Sequence, residues 1–352
     1  MVDQDVRQAA GEAILGGFPE ATVSPEYAEL LRSGRVGGAV LFRHNLTSCE
    51  QAAELTQSLK ALRPDAWLAI DQEGGRVQRL GPPFPQLPPM RQLGERPDAA
   101  SHVWRAGSVL SQGLFMLGFH QNYAPVLDVD TNPDNPAIGD RAFSGDPQRV
   151  AEFGVALIQA LQTGGIAACG KHFPGHGDTH TDSHFELPRL DHDLDRLRRV
   201  ELVPFAAAIR AGAASIMTTH VCFTALDAMH PTTLSEAVIE PLLRRELGYD
   251  GVVVTDDMEM LAIMGHYGIE EASVRALRAG CDQILICHRA ELQAAAYEAL
   301  VRAVETGELP RARLLQAAAR ISRMKQRYQP LAARLGALHQ QWSDAWAVSS
   351  CK

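Results

Sequence analysis

The chain alternates between short apolar runs, often β-branched, and longer stretches whose apolar residues recur at helical spacing. The helical stretches include CEQAAELTQSLKALR, DPQRVAEFGVALIQALQTG and LSEAVIEPLLRREL. Each apolar run stops at a polar residue or a turn. Alternation of this kind is typical of a parallel sheet with crossover helices. The eight predicted strand runs lie at residues 12–18, 37–42, 66–71, 118–129, 165–172, 214–220, 251–257 and 282–288.

Eight strand and helix units predict a (β/α)8 TIM-type barrel in a single domain, with a doubly wound open sheet as the alternative. The barrel is favoured because the ionisable residues close the apolar runs, and in a barrel those strand ends converge on the face that carries the active site. We therefore expect a catalytic domain over residues 1–335 and a C-terminal tail over 336–352. The run-closing residues are Asp71, Lys171, His172, His220, Asp256, Asp257 and His288.

Composition and charge narrow the class of protein. With 352 residues and 46% hydrophobic content, the chain can bury a large core. A net charge of −9 argues against nucleic acid as a partner, because binding along phosphates needs a basic surface. The acidic N-terminus lacks the basic region of a signal peptide, and no run approaches the ~18 apolar residues of a membrane span. The 6 cysteines form no C-x-x-C pair. We expect a cytoplasmic, soluble monomer with reduced cysteines.

The segment KHFPGHGDTHTDSH, residues 171–184, carries a histidine at every fourth position. That spacing would place the histidines on one helical face, as in a metal site, but Pro174, Gly175 and Gly177 make a continuous helix improbable. A loop in which the histidines act separately is the better interpretation. Because only polar residues separate the glycines, we expect 175–184 to be mobile without ligand. A metal-dependent hydrolase built on the four histidines is the remote alternative, unsupported by a second group of ligands.

Two carboxylates stand out beside these histidines. Asp256 ends a strongly apolar run, where a rigidly held carboxylate could attack a substrate, although for TDD taken alone a cap of the next helix by Asp256 or Asp257 is the better interpretation. Asp182 precedes His184 by two residues and could orient its imidazole, although Asp is also an ordinary turn residue.

Four segments together resemble the β-N-acetylglucosaminidases of glycoside hydrolase family 3, the NagZ type. The segments are IDQEGGRVQR (70–79), GDRAFSGDP (139–147), GKHFPGHGDTHTDSH (170–184) and GVVVTDDMEM (251–260). The resemblance implies a barrel that removes terminal β-linked N-acetylglucosamine from cell-wall fragments during peptidoglycan recycling. It implies a small carbohydrate substrate, no cofactor and no metal.

Residue by residue, the resemblance implies that Asp256 is the nucleophile and His184 the general acid/base, with Asp182 as its partner. These roles suit a retaining glycosidase, which needs a carboxylate to form a glycosyl-enzyme and a second group to move protons. His176 and His180 are expected to be structural or solvated. The residues expected to bind the terminal sugar are Asp71, Arg79, Arg141, Lys171 and His172.

Other activities remain open at this point. A family 3 β-glucosidase or a glycoside phosphorylase would use the same nucleophile, and a histidine acid/base, unlike a glutamate, would not repel a phosphate acceptor. A catalytically silent sugar-binding barrel would be expected to lose Asp256 or His184, and both are present.

Overall fold

The first and last of eight parallel strands pair with each other, so the sheet closes into a barrel in the computed structural model, which describes residues 3–328. Ile14 pairs with Ile284 on one side of the first strand, and Leu15 pairs with Gly38 on the other. The predicted (β/α)8 barrel is confirmed, and the open sheet is wrong because no barrel edge is left unpaired within the described residues. The strands are β1 Ile14–Gly16, β2 Gly38–Leu41, β3 Trp67–Ile70, β4 Gln121–Asn122, β5 Ala167–Phe173, β6 Ser215–Thr218, β7 Val252–Asp257 and β8 Gln283–Ile286.

Helices surround the barrel, and several begin at capping residues that the sequence supplies. Ser48 accepts from the Gln51 backbone N–H, and Asp146 accepts from Gln148 with Pro147 in the first turn. The predicted helix over 234–247 is a π-helix, Ile239–Glu246. The α-helices are α1 Gln4–Glu12, α2 Pro25–Arg32, α3 Cys49–Leu62, α4 Met90–Gly94, α5 Ala99–Met116, α6 Pro147–Thr163, α7 Leu194–Arg199, α8 Leu202–Arg210, α9 Leu261–Met264, α10 Ile269–Ala279, α11 Ala290–Thr306 and α12 Arg311–Tyr328.

The apolar residues form two layers, because successive side chains of a strand point to opposite faces. Trp67 and Ala69 of β3 fill the barrel interior, whereas Leu68 and Ile70 pack outward beneath the helices. Both layers are buried, which explains why the strands read as continuous apolar runs. The five described cysteines are buried free thiols.

At the end of the barrel where the strands begin, Glu12 bridges two cations. Its carboxylate contacts Arg63 and lies 2.5 Å from Lys325 Nζ of α12. This bridge joins the start and the end of the described chain on the face opposite the carboxyl ends of the strands. Within residues 3–328, no helix combines the length and apolar character that a membrane span requires. The predicted tail, 336–352, lies outside the described residues.

Candidate active site

A cavity of about 380 Å³ opens at the carboxyl ends of the barrel strands. Its floor is apolar and is formed by Val40, Met217, Leu285 and Cys287, while charged side chains line its walls. The cavity gathers every one of the eight site residues expected from the sequence. They are Asp71, Arg79, Arg141, Lys171, His172, Asp182, His184 and Asp256.

A tight hairpin places Arg79 beside Asp71. Residues Gln72–Gly74 pair antiparallel with Val77–Gln78, and Gly75 between them has a φ of 55°, a left-handed conformation that favours glycine. The Gln72 side chain accepts from the backbone N–H of Arg79 at 2.7 Å and so holds the returning strand. As a result, Arg79 Nη2 lies 3.4 Å from Asp71 Oδ2.

Glu73, which the sequence analysis did not single out, stands at the centre of the charged wall. Its carboxylate forms a bidentate pair with Arg141, at 2.9 Å to Nε and 2.8 Å to Nη2. Lys171 Nζ lies 2.6 Å from both Glu73 and Asp71. The signal for Glu73 was its place three residues beyond the end of β3, inside the motif IDQEGGRVQR. Its partners, however, come from distant parts of the chain.

These contacts keep the buried groups charged. Burial opposes ionisation of Glu73, but Arg141 and Lys171 outweigh it and hold the pKa of the Glu73 carboxyl far below its usual range. The pKa of Asp71 is lowered in the same way, against its burial, by Lys171 and Arg79. Burial acts to lower the pKa of Lys171, but the two carboxylates raise it, so this amine stays protonated.

His172 is fixed by a second carboxylate that the sequence analysis did not select, Asp128. The His172 Nδ1 atom lies 2.7 Å from Asp128 Oδ2, and the other oxygen accepts the His176 backbone N–H at 2.7 Å. Asp128 is completely buried, and burial opposes ionisation of its carboxyl. The contact with His172 is the main cause that outweighs burial and lowers the pKa of the Asp128 carboxyl. Asp128 therefore fixes the ring through Nδ1, and the imidazole lines the cavity.

Asp256 lies near the end of β7, with its Oδ1 accepting the backbone N–H of Asp257 at 2.8 Å. Burial opposes its ionisation, but the nearby imidazoles of His172 and His220 offset it and lower the pKa of the Asp256 carboxyl. His220, which is buried, also contacts the Asp257 carbonyl through Nε2 at 3.0 Å. The Asp256 side chain accepts no bond from the next helix, so of the two interpretations of TDD the strand-end carboxylate agrees with the geometry.

A second carboxylate–histidine pair lies on the loop after β5. His184 Nδ1 is 2.7 Å from Asp182 Oδ1, and the same oxygen accepts the His184 backbone N–H at 2.9 Å. The His184 side chain is 64% exposed, so it is the Asp182 carboxylate, and not packing against neighbouring side chains, that orients it. Burial acts to raise the pKa of the Asp182 carboxyl, but the hydrogen bonds from His184 outweigh it, so the pKa is lowered.

The remaining histidines of the 171–184 segment have their own partners. His176 is buried, with Nδ1 at 2.8 Å from Thr179 Oγ1 and Nε2 at 3.1 Å from Ser183 Oγ. His180 is exposed and contacts the Asn132 side chain at 3.2 Å. The four histidines therefore do not converge, and no cluster of three metal-binding side chains occurs within residues 3–328.

The sequence matches the family described as "Glycosyl hydrolase family 3 N terminal domain" over residues 6–324. The chain belongs to glycosyl hydrolase family 3. A family 3 relative, the "Beta-hexosaminidase" of Neisseria meningitidis serogroup C, is 39% identical over 277 residues, which are 77% of this chain and 76% of the relative. The expected enzyme class, a glycosidase of the β-hexosaminidase group, is confirmed.

Solved family 3 structures share the fold. The β-N-acetylglucosaminidase from Paenibacillus sp. str. FPU-7 superposes with a TM-score of 0.89 at 42% identity, covering 92% of this chain but only 62% of that one. NagZ from Neisseria gonorrhoeae, in complex with N-trifluoroacetyl-D-glucosamine, gives a TM-score of 0.74 at 32% identity and covers 89% of this chain and 98% of that chain.

Proposed function

We propose that this family 3 glycosidase is a retaining exo-β-N-acetylglucosaminidase, which removes terminal β-linked N-acetylglucosamine from peptidoglycan-derived muropeptides. The observation that carries the proposal is the shared cavity: Asp256 and the Asp182–His184 pair line the same enclosed space as the charged wall around Lys171. The floor is closed by apolar side chains, so the cavity has room for the end of a sugar chain and not for its middle. This favours attack on a terminal residue.

In the first step, an Asp256 oxygen attacks the anomeric carbon while the bond to the departing oxygen breaks. His184 gives a proton to that oxygen from Nε2, because Nδ1 is held by Asp182. The product is a glycosyl ester on Asp256. The low pKa of the Asp256 carboxyl keeps it ionised for this attack.

In the second step, neutral His184 takes a proton from water at Nε2, and the water oxygen attacks the same carbon and releases Asp256. The anomeric configuration is inverted twice and therefore retained. Asp71, Arg79, Arg141, Lys171 and His172 hold the sugar through both steps, since their carboxylate, guanidinium, ammonium and imidazole groups match sugar hydroxyls as acceptors and donors.

The choice of N-acetylglucosamine is supported by the relatives named β-hexosaminidase and β-N-acetylglucosaminidase and by the glucosamine derivative bound to the Neisseria NagZ. The muropeptide substrate, and the cytoplasmic location that goes with it, rest on the sequence motifs. The monomeric state and the domain boundary at residue 335 also stay predictions.

One set of assays tests the proposal. The purified enzyme is given an aryl N-acetyl-β-glucosaminide or the matching β-glucoside, each with and without phosphate, and the first anomer released is read by NMR. We expect preference for the acetamido substrate, a β-product and no need for phosphate. Faster turnover of the glucoside would support the β-glucosidase alternative, and formation of a sugar phosphate would support the phosphorylase. A disaccharide of N-acetylglucosamine and anhydro-N-acetylmuramic acid tests the muropeptide.

A further inference from the structure

The charged wall of the cavity is one continuous series of alternating charges. Arg79 contacts Asp71, Asp71 contacts Lys171, Lys171 contacts Glu73, and Glu73 contacts Arg141. Four of these five residues are the expected sugar ligands. The fifth is Glu73. Within the described residues, Arg141 is joined to Lys171, Asp71 and Arg79 only through its ion pair with Glu73.

Both oxygens of Glu73 are engaged by cations. Its Oε1 lies 2.6 Å from Lys171 Nζ and 2.8 Å from Arg141 Nη2, and its Oε2 lies 2.9 Å from Arg141 Nε. The side chain is 3% exposed, although it borders the cavity. Its contacts therefore link Glu73 to the sugar chiefly through the two cations.

The same contacts define which donors remain for the sugar. Arg141 uses Nε and Nη2 on Glu73 and Nη1 on the Ala137 carbonyl at 3.0 Å, so three of its five N–H donors are engaged and the guanidinium plane is fixed. Lys171 comes from β5 and Arg141 from the loop after β4. A single carboxylate thus sets the separation of two cations that come from different parts of the barrel.

We propose that Glu73 is a positioning residue that aligns Lys171 and Arg141 to bind the terminal sugar. This inference rests on the proposed glycosidase function. With glutamine at this position, one N–H₂ group would face a cation, and Lys171 would be drawn toward Asp71 alone. Misaligned hydrogen bonds from charged groups weaken binding by about ten- to a hundredfold, so the change is measurable.

Glu12 offers a matched control at the opposite end of the barrel. It is also a nearly buried glutamate that bridges an arginine and a lysine, Arg63 and Lys325, but it lies far from the cavity. Glu12→Gln and Glu73→Gln both break a bridged ion pair, and both are expected to lower Tm. Only Glu73→Gln should weaken sugar binding.

The test measures KM and kcat for an aryl N-acetyl-β-glucosaminide and binding of N-acetylglucosamine by calorimetry. For Glu73→Gln we expect KM and Kd to rise ten- to a hundredfold, with kcat changed far less. Wild-type affinity in Glu73→Gln, or an equal loss in Glu12→Gln, would overturn the proposal. So would a fall in kcat alone, which would place Glu73 at the chemical step. An inactive wild-type enzyme would instead reject the glycosidase function.

A double-mutant cycle with Lys171→Met separates positioning from general stability. Because Glu73 is proposed to act through Lys171, the double variant should lose less kcat/KM than the product of the two single losses. A loss equal to that product would contradict the proposal. If Glu73→Gln does not fold, Glu73→Asp, which keeps the charge but shortens the reach, gives the same readouts.

Discussion

One oxygen atom of Asp182 holds both the backbone and the ring of His184. Asp182 Oδ1 accepts the His184 N–H at 2.9 Å and lies 2.7 Å from His184 Nδ1. The carboxylate thereby makes Nδ1 the donor to itself and leaves Nε2 to exchange a proton with the substrate. Because the ring is mostly exposed, this one oxygen supplies the orientation that packing does not.

The first prediction is that His184→Ala discriminates between leaving groups. A sugar hydroxyl needs protonation to leave, whereas an acidic phenol leaves unaided. We expect a loss on the order of 10² to 10⁴ in turnover of the natural disaccharide and a much smaller loss in glycosylation by an activated aryl glycoside. Deglycosylation still lacks its base, so stopped-flow should show a burst of phenol. Equal losses without a burst would make His184 a binding or structural residue.

The second prediction is that Asp182→Asn repeats this pattern more weakly. Asparagine keeps an acceptor for the His184 N–H but removes the negative charge beside the ring. We expect a smaller preference for activated substrates than in His184→Ala, measured as the ratio of kcat/KM for the two leaving groups. An Asp182→Asn ratio above that of His184→Ala would contradict this ranking.

The third prediction concerns Asp256→Asn, which should lose nearly all turnover while still binding N-acetylglucosamine. Both chemical steps pass through that carboxylate. Asp257→Asn is the comparison, because the Asp257 carboxylate accepts backbone N–H groups of Glu259 and Cys287 and its loss should be far smaller. If Asp257→Asn is the more damaging change, the nucleophile has been assigned to the wrong residue.

The fourth prediction is a loss of stability at mildly acidic pH that His176 causes. Burial lowers the pKa of His176 from 6.5 to about 4, so between these values the unfolded chain binds a proton that the folded chain does not. Stability therefore falls as pH falls from 6.5 to 4. Between pH 7.5 and 5 we expect a loss of about 2 kcal/mol in the free energy of unfolding from this group. Urea titrations at both pH values should show that the free energy of unfolding falls by that much more in wild type than in His176→Gln. If the free energies of the two proteins change with pH in parallel, His176 is not the cause.

The fifth prediction narrows the mobile part of the loop. The sequence predicts mobility over 175–184, but His176 and Thr179 are buried and their carbonyls accept from Asn135 and Asn132, at 2.8 and 2.9 Å. We expect rapid hydrogen exchange only over residues 180–187 without ligand, and protection there when N-acetylglucosamine is bound. Equal exchange with and without the sugar would argue against closure.

The barrel could be predicted because each strand is buried on both faces and so leaves a local apolar signal. Strand length was harder to predict. The run at 118–129 contains only a two-residue strand, Gln121–Asn122, since Pro125 has no N–H with which to extend the ladder. The narrower range now expected for the mobile loop has a similar origin: apolar anchors can be counted in a sequence, whereas the amides of Asn132 and Asn135 reach this loop from more than forty residues away.

The site residues also divide into those that local motifs reveal and those that only the fold reveals. Asp256 and His184 lie within motifs that could be recognised locally, and the cavity contains both. Glu73 and Asp128 contact partners 68 and 44 residues distant, so the sequence does not show which side chains they hold. The residues proposed to touch the substrate could therefore be predicted from motifs, while the residues proposed to orient them could be identified only from the fold.

The pairing of β1 with β8 has a consequence for synthesis of the protein. Ile14 is synthesised 270 residues before its partner Ile284. Until then β1 has a free edge that can pair with another nascent chain. Closure through so distant a contact is slow, because the entropy of a long loop must be lost first. This hazard therefore lasts through the synthesis of the first seven strands and ends only when the eighth can pair with the first.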